Sequence, residues 1–198
     1  MFLGNFPHTP NVDSILYFVQ EIWPHIEPNL PTNARLLVVG NKPPPEVTAL
    51  ASERIIVTGF VEDLTPHFAM SRVFVAPLRF GAGIKGKIIN SFAHGVPCVA
   101  STIAAEGIAG SNDSHLLVQD DPLNFARDVI NLYSDEAKWH FMQAAGLEFL
   151  RKNYSRSRAA EICTEGLQVA NRVWTRRQEH RRSAALRKIM IKNGDLTE

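Results

Sequence analysis

Long apolar runs are missing from this chain. The longest, residues 73–78 and 95–100, fall far short of the roughly 20 residues that span a bilayer, and no basic stretch followed by an apolar core opens the sequence. Neither a membrane span nor a secretion signal is expected. Cysteine is scarce too. Cys98 sits in a strand-like run and Cys163 in a helix-like run, which excludes a disulfide framework and reads as two buried free thiols in a reducing, cytoplasmic compartment. No Cys or His spacing matches a zinc site and no Gly-x-Ser-x-Gly elbow occurs, so neither metal nor acyl-transfer chemistry is expected. Internal repeats and low-complexity stretches are also missing.

Net charge is nearly absent, at +1, but it is unevenly spread. Residues 172–198 hold eight Lys or Arg against three acids, leaving 13 against 17 in the rest. A tail of net +5 suits a solvated helix face, the plainer reading, or contact with anionic lipid or nucleic acid. No nucleic-acid partner is expected. Within the tail, Arg176, Arg177, Arg181 and Arg182 precede the amphipathic Leu186, Ile189 and Met190.

An apolar fraction of 45% in 198 residues is enough to bury one substantial core and too little for two large domains. The organisation expected is a domain over residues 1–170 and a basic helical tail over 171–198. Four short β-branched runs, 35–39, 54–58, 73–76 and 97–101, are bounded by Gly, Pro, Asn or Ser and read as buried parallel strands. Residues 2–4 read as the remains of a first strand and 115–118 as a last one. Helix-period stretches lie between them, clearest at 12–23, where Ile15, Leu16, Val19, Ile22 and Trp23 share a face. Residues 123–133, 135–153 and a long segment from Ser157 read as helices. Such alternation predicts an α/β, Rossmann-like, doubly wound and mainly parallel sheet with a helical extension, whose ligands sit beyond the carboxyl ends of the strands. The first strand starts almost at Met1, which suggests a fragment or a domain with its partner on another chain.

Residues 76–97, APLRFGAGIKGKIINSFAHGVP, are the most informative. A strand ends, a glycine loop follows, and a helix is expected to begin near Ile84. Glycines let backbone N–H groups approach a ligand, and the first helical turn offers unpaired donors and the positive end of the dipole. Lys85 and Lys87 add charge, so the loop suits phosphate. Gly81, Gly83 and Gly86 also satisfy the dinucleotide fingerprint G-x-G-x-x-G, with Glu106 about twenty residues on. That fingerprint belongs directly after a first strand, whereas here it follows about the fourth. A magnesium-holding P-loop fails at Ile88, where a hydroxyl is required.

With the glycine segment, the series Phe2 to Phe6, Pro10 to Asp13, Gly59 to Asp63, Asn90 to Pro97 and Ala105 to Gly107 resembles the C-terminal domain of the group 1 (family 4) retaining glycosyltransferases, over roughly residues 2–170. The resemblance implies one half of a GT-B fold, cytoplasmic, that binds a nucleotide-sugar donor, a UDP-sugar or GDP-sugar, with no cofactor. An N-terminal domain, absent from this chain, would present an unknown acceptor. By the same resemblance Gly59, Phe60 and Val61 line the base, Gly83, Ile84 and Lys85 meet the diphosphate beside Gly81 and Lys87, and Asn90 takes the place of a glutamate that holds the ribose. The family's other glutamate position holds Ala82, which leaves the catalytic residue unassigned, and the basic pair common after the first strand is missing. Among the remaining residues, His94 reads as a packing histidine and Glu106 as a solvated loop residue, while His8 is balanced between cleft and surface. The rival readings are an NAD-type oxidoreductase domain and a non-catalytic nucleotide-binding or interaction module.

Overall fold

A computed structural model describes residues 1–108 and 114–192, with side chains described as far as residue 185; the side chains of Leu186, Ile189 and Met190 lie outside the described ones. The chain divides into two compact units, Met1–Arg151 and Lys152–Glu198. In the first, strands β1 (Phe2–Leu3), β2 (Leu36–Val39) and β3 (Ile55–Gly59) form one parallel sheet, and β4 (Phe74–Ala76), β5 (Cys98–Ala100) and β6 (Leu117–Val118) another. Backbone hydrogen bonds stitch the two together, from the Val75 N–H to the Met1 carbonyl at 2.9 Å and from the Met1 ammonium to the Val73 carbonyl at 2.7 Å. The strands therefore run in the order 3-2-1-4-5-6, with a crevice where the order reverses between β1 and β4.

Side-chain alternation builds two cores from one sheet. Leu36 and Val38 of β2, Val75 of β4 and Val99 of β5 point to one face, against Ile15, Phe18, Ile26, Phe125 and Leu132. Leu37 and Val39, Phe74 and Ala76, and Cys98 and Ala100 point to the other, against Phe68, Ile88, Phe92 and Phe149. A strand with both faces covered has no polar position, which is why β2, β4 and β5 read as unbroken apolar runs. Phe18 and Phe125 meet edge to face at 6.1 Å between ring centroids and are buried. Truncating either to alanine opens a cavity, at a cost of about 3–5 kcal/mol.

On the first face lie α1 (Thr9–Tyr17), a wide turn at Phe18–Ile22, α2 (Trp23–Ile26) and, later in the chain, α7 (Pro122–Ser134). The segment expected as one helix over 12–23 is thus interrupted. The Trp23 N–H reaches back five residues to the Phe18 carbonyl, and Pro24, having no N–H, cannot restore the four-residue pattern after it. At the start of α7 the Asp121 carboxylate accepts from the Asn124 N–H at 2.9 Å and Pro122 opens the first turn, a start signal readable in the sequence.

Short helices α3 (Pro45–Thr48), α4 (Thr65–Ala69), α5 (Gly86–Ala93) and α6 (Thr102–Ala105) follow their strands, and α8 (Glu136–Asn153) closes the second face with Phe149. Helix α5 begins at Gly86, two residues later than the expected start near Ile84, because Lys85 keeps the non-helical φ of −87° and ψ of 86° of an N-cap residue. The second unit carries one long helix, α9 (Arg156–Lys192). Cys98 is buried as expected, whereas Cys163 on α9 is exposed. Its run has helical period, but residues 159–177 around it are all exposed. Among the described residues no helix is long and apolar enough to cross a membrane.

Candidate functional site

Two strands end alike. Leu3-Gly4-Asn5 closes β1 and Val39-Gly40-Asn41 closes β2. A Cβ at Gly40 would lie 1.7 Å from the Gly4 carbonyl oxygen, so only glycine lets the two strand ends come this close. The Gly4 N–H donates to Val39 and the Gly40 N–H to Gly59, at 2.9 and 3.1 Å, carrying the ladder one residue past the strands. The asparagines are thereby set side by side, with Asn41 Nδ2 3.5 Å from Asn5 Oδ1.

These ends form the floor of a pocket of about 620 Å³ at the carboxyl edge of β1, β2 and β3. Phe60, Val61, Glu62 and Leu64 after β3, Asn11 of α1, and Lys87 and Asn90 of α5 make up the rest of its polar and apolar wall. Phe60 is 72% exposed, so its ring stands at the rim with a face free for contact.

Lys87 is the pocket's cation. Its Nζ lies 4.9 Å from the centroid of the Phe2 ring and donates to Asn11 Oδ1 at 2.5 Å, while Asn11 Nδ2 donates to the Asn5 carbonyl at 2.7 Å. Burial pulls the ammonium down from its usual range to about 8, with Lys85 pushing the same way and Cys98 opposing. A neutral partner and an aromatic face leave this charge without a counter-anion among its described contacts.

Lys85, two residues earlier, has another fate. Its side chain is 8% exposed, and its ammonium donates to the Gly83 carbonyl of its own loop at 2.6 Å and lies 3.9 Å from Glu106. The loop carries it inward because Gly81 and Gly83 adopt φ of 130° and 78°, in the range where side chains are strained. Gly107, on the loop of Glu106, lies against Ile84, so the two loops pack together. At the other end of the loop, Arg79 forms a two-pronged ion pair with Asp13 and stands 4.8 Å over the Tyr17 ring, tying the segment to α1.

Of the residues singled out from the sequence, Phe60, Val61, Lys87 and Asn90 are brought together in the pocket, and Gly59 sits directly beneath it. Gly81, Gly83, Ile84 and Lys85 form the neighbouring loop. His94 stacks on Phe68 at 4.4 Å between centroids and its Nδ1 lies 2.8 Å from the Asn90 carbonyl, a packing role. His8 caps the start of α1 through its backbone. Asn5 and Asn11, which stand where the basic pair is missing, together with Asn41 and Glu62, were not assigned to the site from the sequence. The repeated Gly-Asn after two apolar runs is the signal that would have found the first and third.

Residues 1–135 match the family model described as glycosyl transferases group 1. A curated relative, an uncharacterized 44.6 kDa protein in the cps region of Klebsiella pneumoniae, is 20% identical over 163 residues, covering 78% of this chain and 42% of that one. Among solved structures, an S. aureus TarM mutant in complex with fondaparinux, alpha-GlcNAc-glycerol and UDP superposes with a TM-score of 0.67 at 12% identity, over 81% of this chain and 33% of that one. Anabaena HepE in complex with UDP gives 0.62 at 14%, over 88% and 48%. The C-terminal domain of the Francisella tularensis group 1 protein LpcC gives 0.62 at 13%, over 79% and 84%. The chain thus spans less than half the length of the curated relative and of the TarM and HepE chains, and most of an isolated C-terminal domain. A glycine hexad after β4 rather than β1 gives the dinucleotide reading no support in this topology.

Proposed function

The chain belongs to the group 1 glycosyl transferases, and on that footing we propose that it holds the nucleoside-diphosphate sugar from which a retaining GT-B enzyme transfers its sugar. The observation that carries this is the pocket at the carboxyl ends of β1–β3, with an ammonium in its wall and an exposed aromatic ring at its rim. Nucleotides need such a pair of features at opposite ends.

The base lies over residues 59–61, flanked by the Phe60 ring. The ribose hydroxyls meet Asn90, which offers one acceptor and two donors. The diphosphate faces Lys87 and the first turn of α5, whose N-terminal dipole favours an anion, with the loop of Gly81, Gly83, Ile84 and Lys85 on its other side. As the sugar leaves, negative charge grows on the diphosphate oxygens, and a cation already in position stabilises that charge more than it stabilises the bound donor. With Ala82 apolar and Asn90 neutral, this is the part of the chemistry that the chain's residues serve best. The acceptor is presented by a second, N-terminal domain, and the net positive charge of the tail suits contact with an anionic membrane.

Thermal-shift and titration measurements with UDP, GDP, ADP and NAD test the reading. Stabilisation by UDP or GDP well beyond that by NAD is expected. A response to NAD alone, or none to any nucleoside diphosphate, overturns it.

A further inference from the structure

A glycine makes room for the side chains that hold Lys87. A Cβ at Gly4 would lie 3.0 Å from Asn11 Cβ and 3.0 Å from the Phe2 ring, so the residue after β1 lets both close on the ammonium. Asn11 is 9% exposed, deep enough that the polar atoms of its amide need partners. Its Nδ2 donates to the Asn5 carbonyl at 2.7 Å, and its Oδ1 accepts from Lys87 at 2.5 Å. Turned over, the amide would set oxygen against oxygen and NH2 against the ammonium, so the Asn5 carbonyl decides which end Lys87 meets. Asn11 accepts one of the ammonium's three N–H groups and Phe2 presents a ring face, which leaves donors for the pocket that Lys87 lines.

We infer that Asn11 is the positioning residue of Lys87, aiming its ammonium into the pocket while leaving the positive charge for a phosphate to neutralise; this role rests on the nucleoside diphosphate proposed above for that pocket. An aspartate has the same reach and would hold the ammonium as closely. It would also neutralise it, and its second oxygen would face the Asn5 carbonyl. A phosphate would then have to displace an ion pair already formed, as at Lys85 beside Glu106. An apolar residue of similar size fails differently, leaving the charge free but unaimed. The other charged and titratable groups around Lys87 supply neither function. Lys85 opposes its charge, and the Cys98 thiol is buried on β5 and pushed above its ordinary range, hence neutral. Glu62 lines the pocket from the exposed segment after β3, and Asp13 of α1 is taken by Arg79.

Two variants of the full chain test this, read by NMR titration of isotope-labelled lysine and by calorimetry; the signal that Lys87→Met deletes identifies Lys87. Asn11→Asp is expected to raise the Lys87 pKa from about 8 by about 1–3 pH units. It should also weaken UDP or GDP binding at neutral pH roughly tenfold or more, because the ammonium is already paired. Asn11→Leu removes a hydrogen bond to the charged form, so the Lys87 pKa is expected to fall below that of the wild type, with diphosphate binding weakened roughly threefold to tenfold. The nucleoside, lacking phosphate, is expected to bind both variants as it binds the wild type. One pKa moving in opposite directions while affinity falls in both variants is a signature that lost packing does not give. Thermal unfolding checks each fold, and Asn11→Leu carries the test alone if the carboxylate facing Asn5 unfolds its counterpart. Lys87 titrations unchanged in the folded variants, or diphosphate affinities within a factor of about two of the wild type, overturn the role of Asn11 and leave the nucleotide reading standing. A wild type that binds no nucleoside diphosphate overturns that reading and this role with it.

Discussion

Lys85 and Lys87 stand two residues apart in one glycine-rich segment, yet the loop before α5 and the first turn of α5 treat them differently. The loop folds its lysine back on Gly83 and toward Glu106, where a carbonyl and a carboxylate already occupy the ammonium. The helix sends its lysine across to Asn11 of α1 and Phe2 of β1, where it meets an amide oxygen and a ring but, among its described contacts, no carboxylate. A phosphate approaching the first must displace existing partners. One approaching the second gains the whole of a charge that burial has made costly to keep.

The largest effect is therefore expected at the helix. Removing the Lys87 ammonium deletes a charge-assisted hydrogen bond worth about 1.5–3 kcal/mol, so Lys87→Ala should weaken UDP or GDP binding roughly 10- to 100-fold by calorimetry while hardly touching the nucleoside. An unchanged diphosphate affinity in that variant would erase the comparison.

Next in size is pH. The Lys87 ammonium loses its proton near 8 in the free protein, and a bound diphosphate would hold that proton on. Binding should accordingly take up a proton above pH 8, and affinity should fall toward tenfold per pH unit there, while staying flat below about 7. Lys87→Ala should abolish the slope. The stability of the free protein has the opposite sign. A lysine depressed in the folded state binds fewer protons than in the unfolded chain, so its contribution rises as pH climbs from about 8 toward 10.5. Chemical denaturation across that window reads it directly.

Asn90→Ala removes a neutral hydrogen bond of about 0.5–1.5 kcal/mol, and nucleoside and diphosphate should both weaken by about two- to tenfold. Loss confined to the diphosphate would move Asn90 away from the ribose. Smallest of all is the loop lysine, for which Lys85→Ala should change diphosphate affinity by no more than about threefold, because the ammonium it deletes is already engaged. A loss as large as that of Lys87→Ala would show that the loop releases its lysine when the donor binds.

Legibility in the sequence followed locality. Strands β2 to β5 were readable to within a residue or so because each is a buried apolar run bounded by residues that break it, and the start of α7 because Asp121-Pro122 is a cap written in adjacent positions. The wide turn at Phe18–Ile22 was not, since the apolar period runs through it unbroken and only the missing N–H of Pro24 marks it. Part of the pocket was legible through the glycine segment and its helix. The pocket's asparagines were not, because Asn5, Asn11 and Asn41 come from three separate places in the chain and look individually like ordinary turn residues.

An alternation of apolar runs and helical periods was enough to specify a doubly wound sheet with a glycine loop after its fourth strand, since hydrophobic periodicity and glycine stereochemistry act on neighbours along the chain. Which of the two lysines lines the pocket could not be read from their spacing. That depended on the Gly40 contact with Gly4, which brings the ends of β1 and β2 together, and on the reach of Lys87 across 76 positions to Asn11. Charge and desolvation act through space, and the distances that govern them exist only once the sheet has closed.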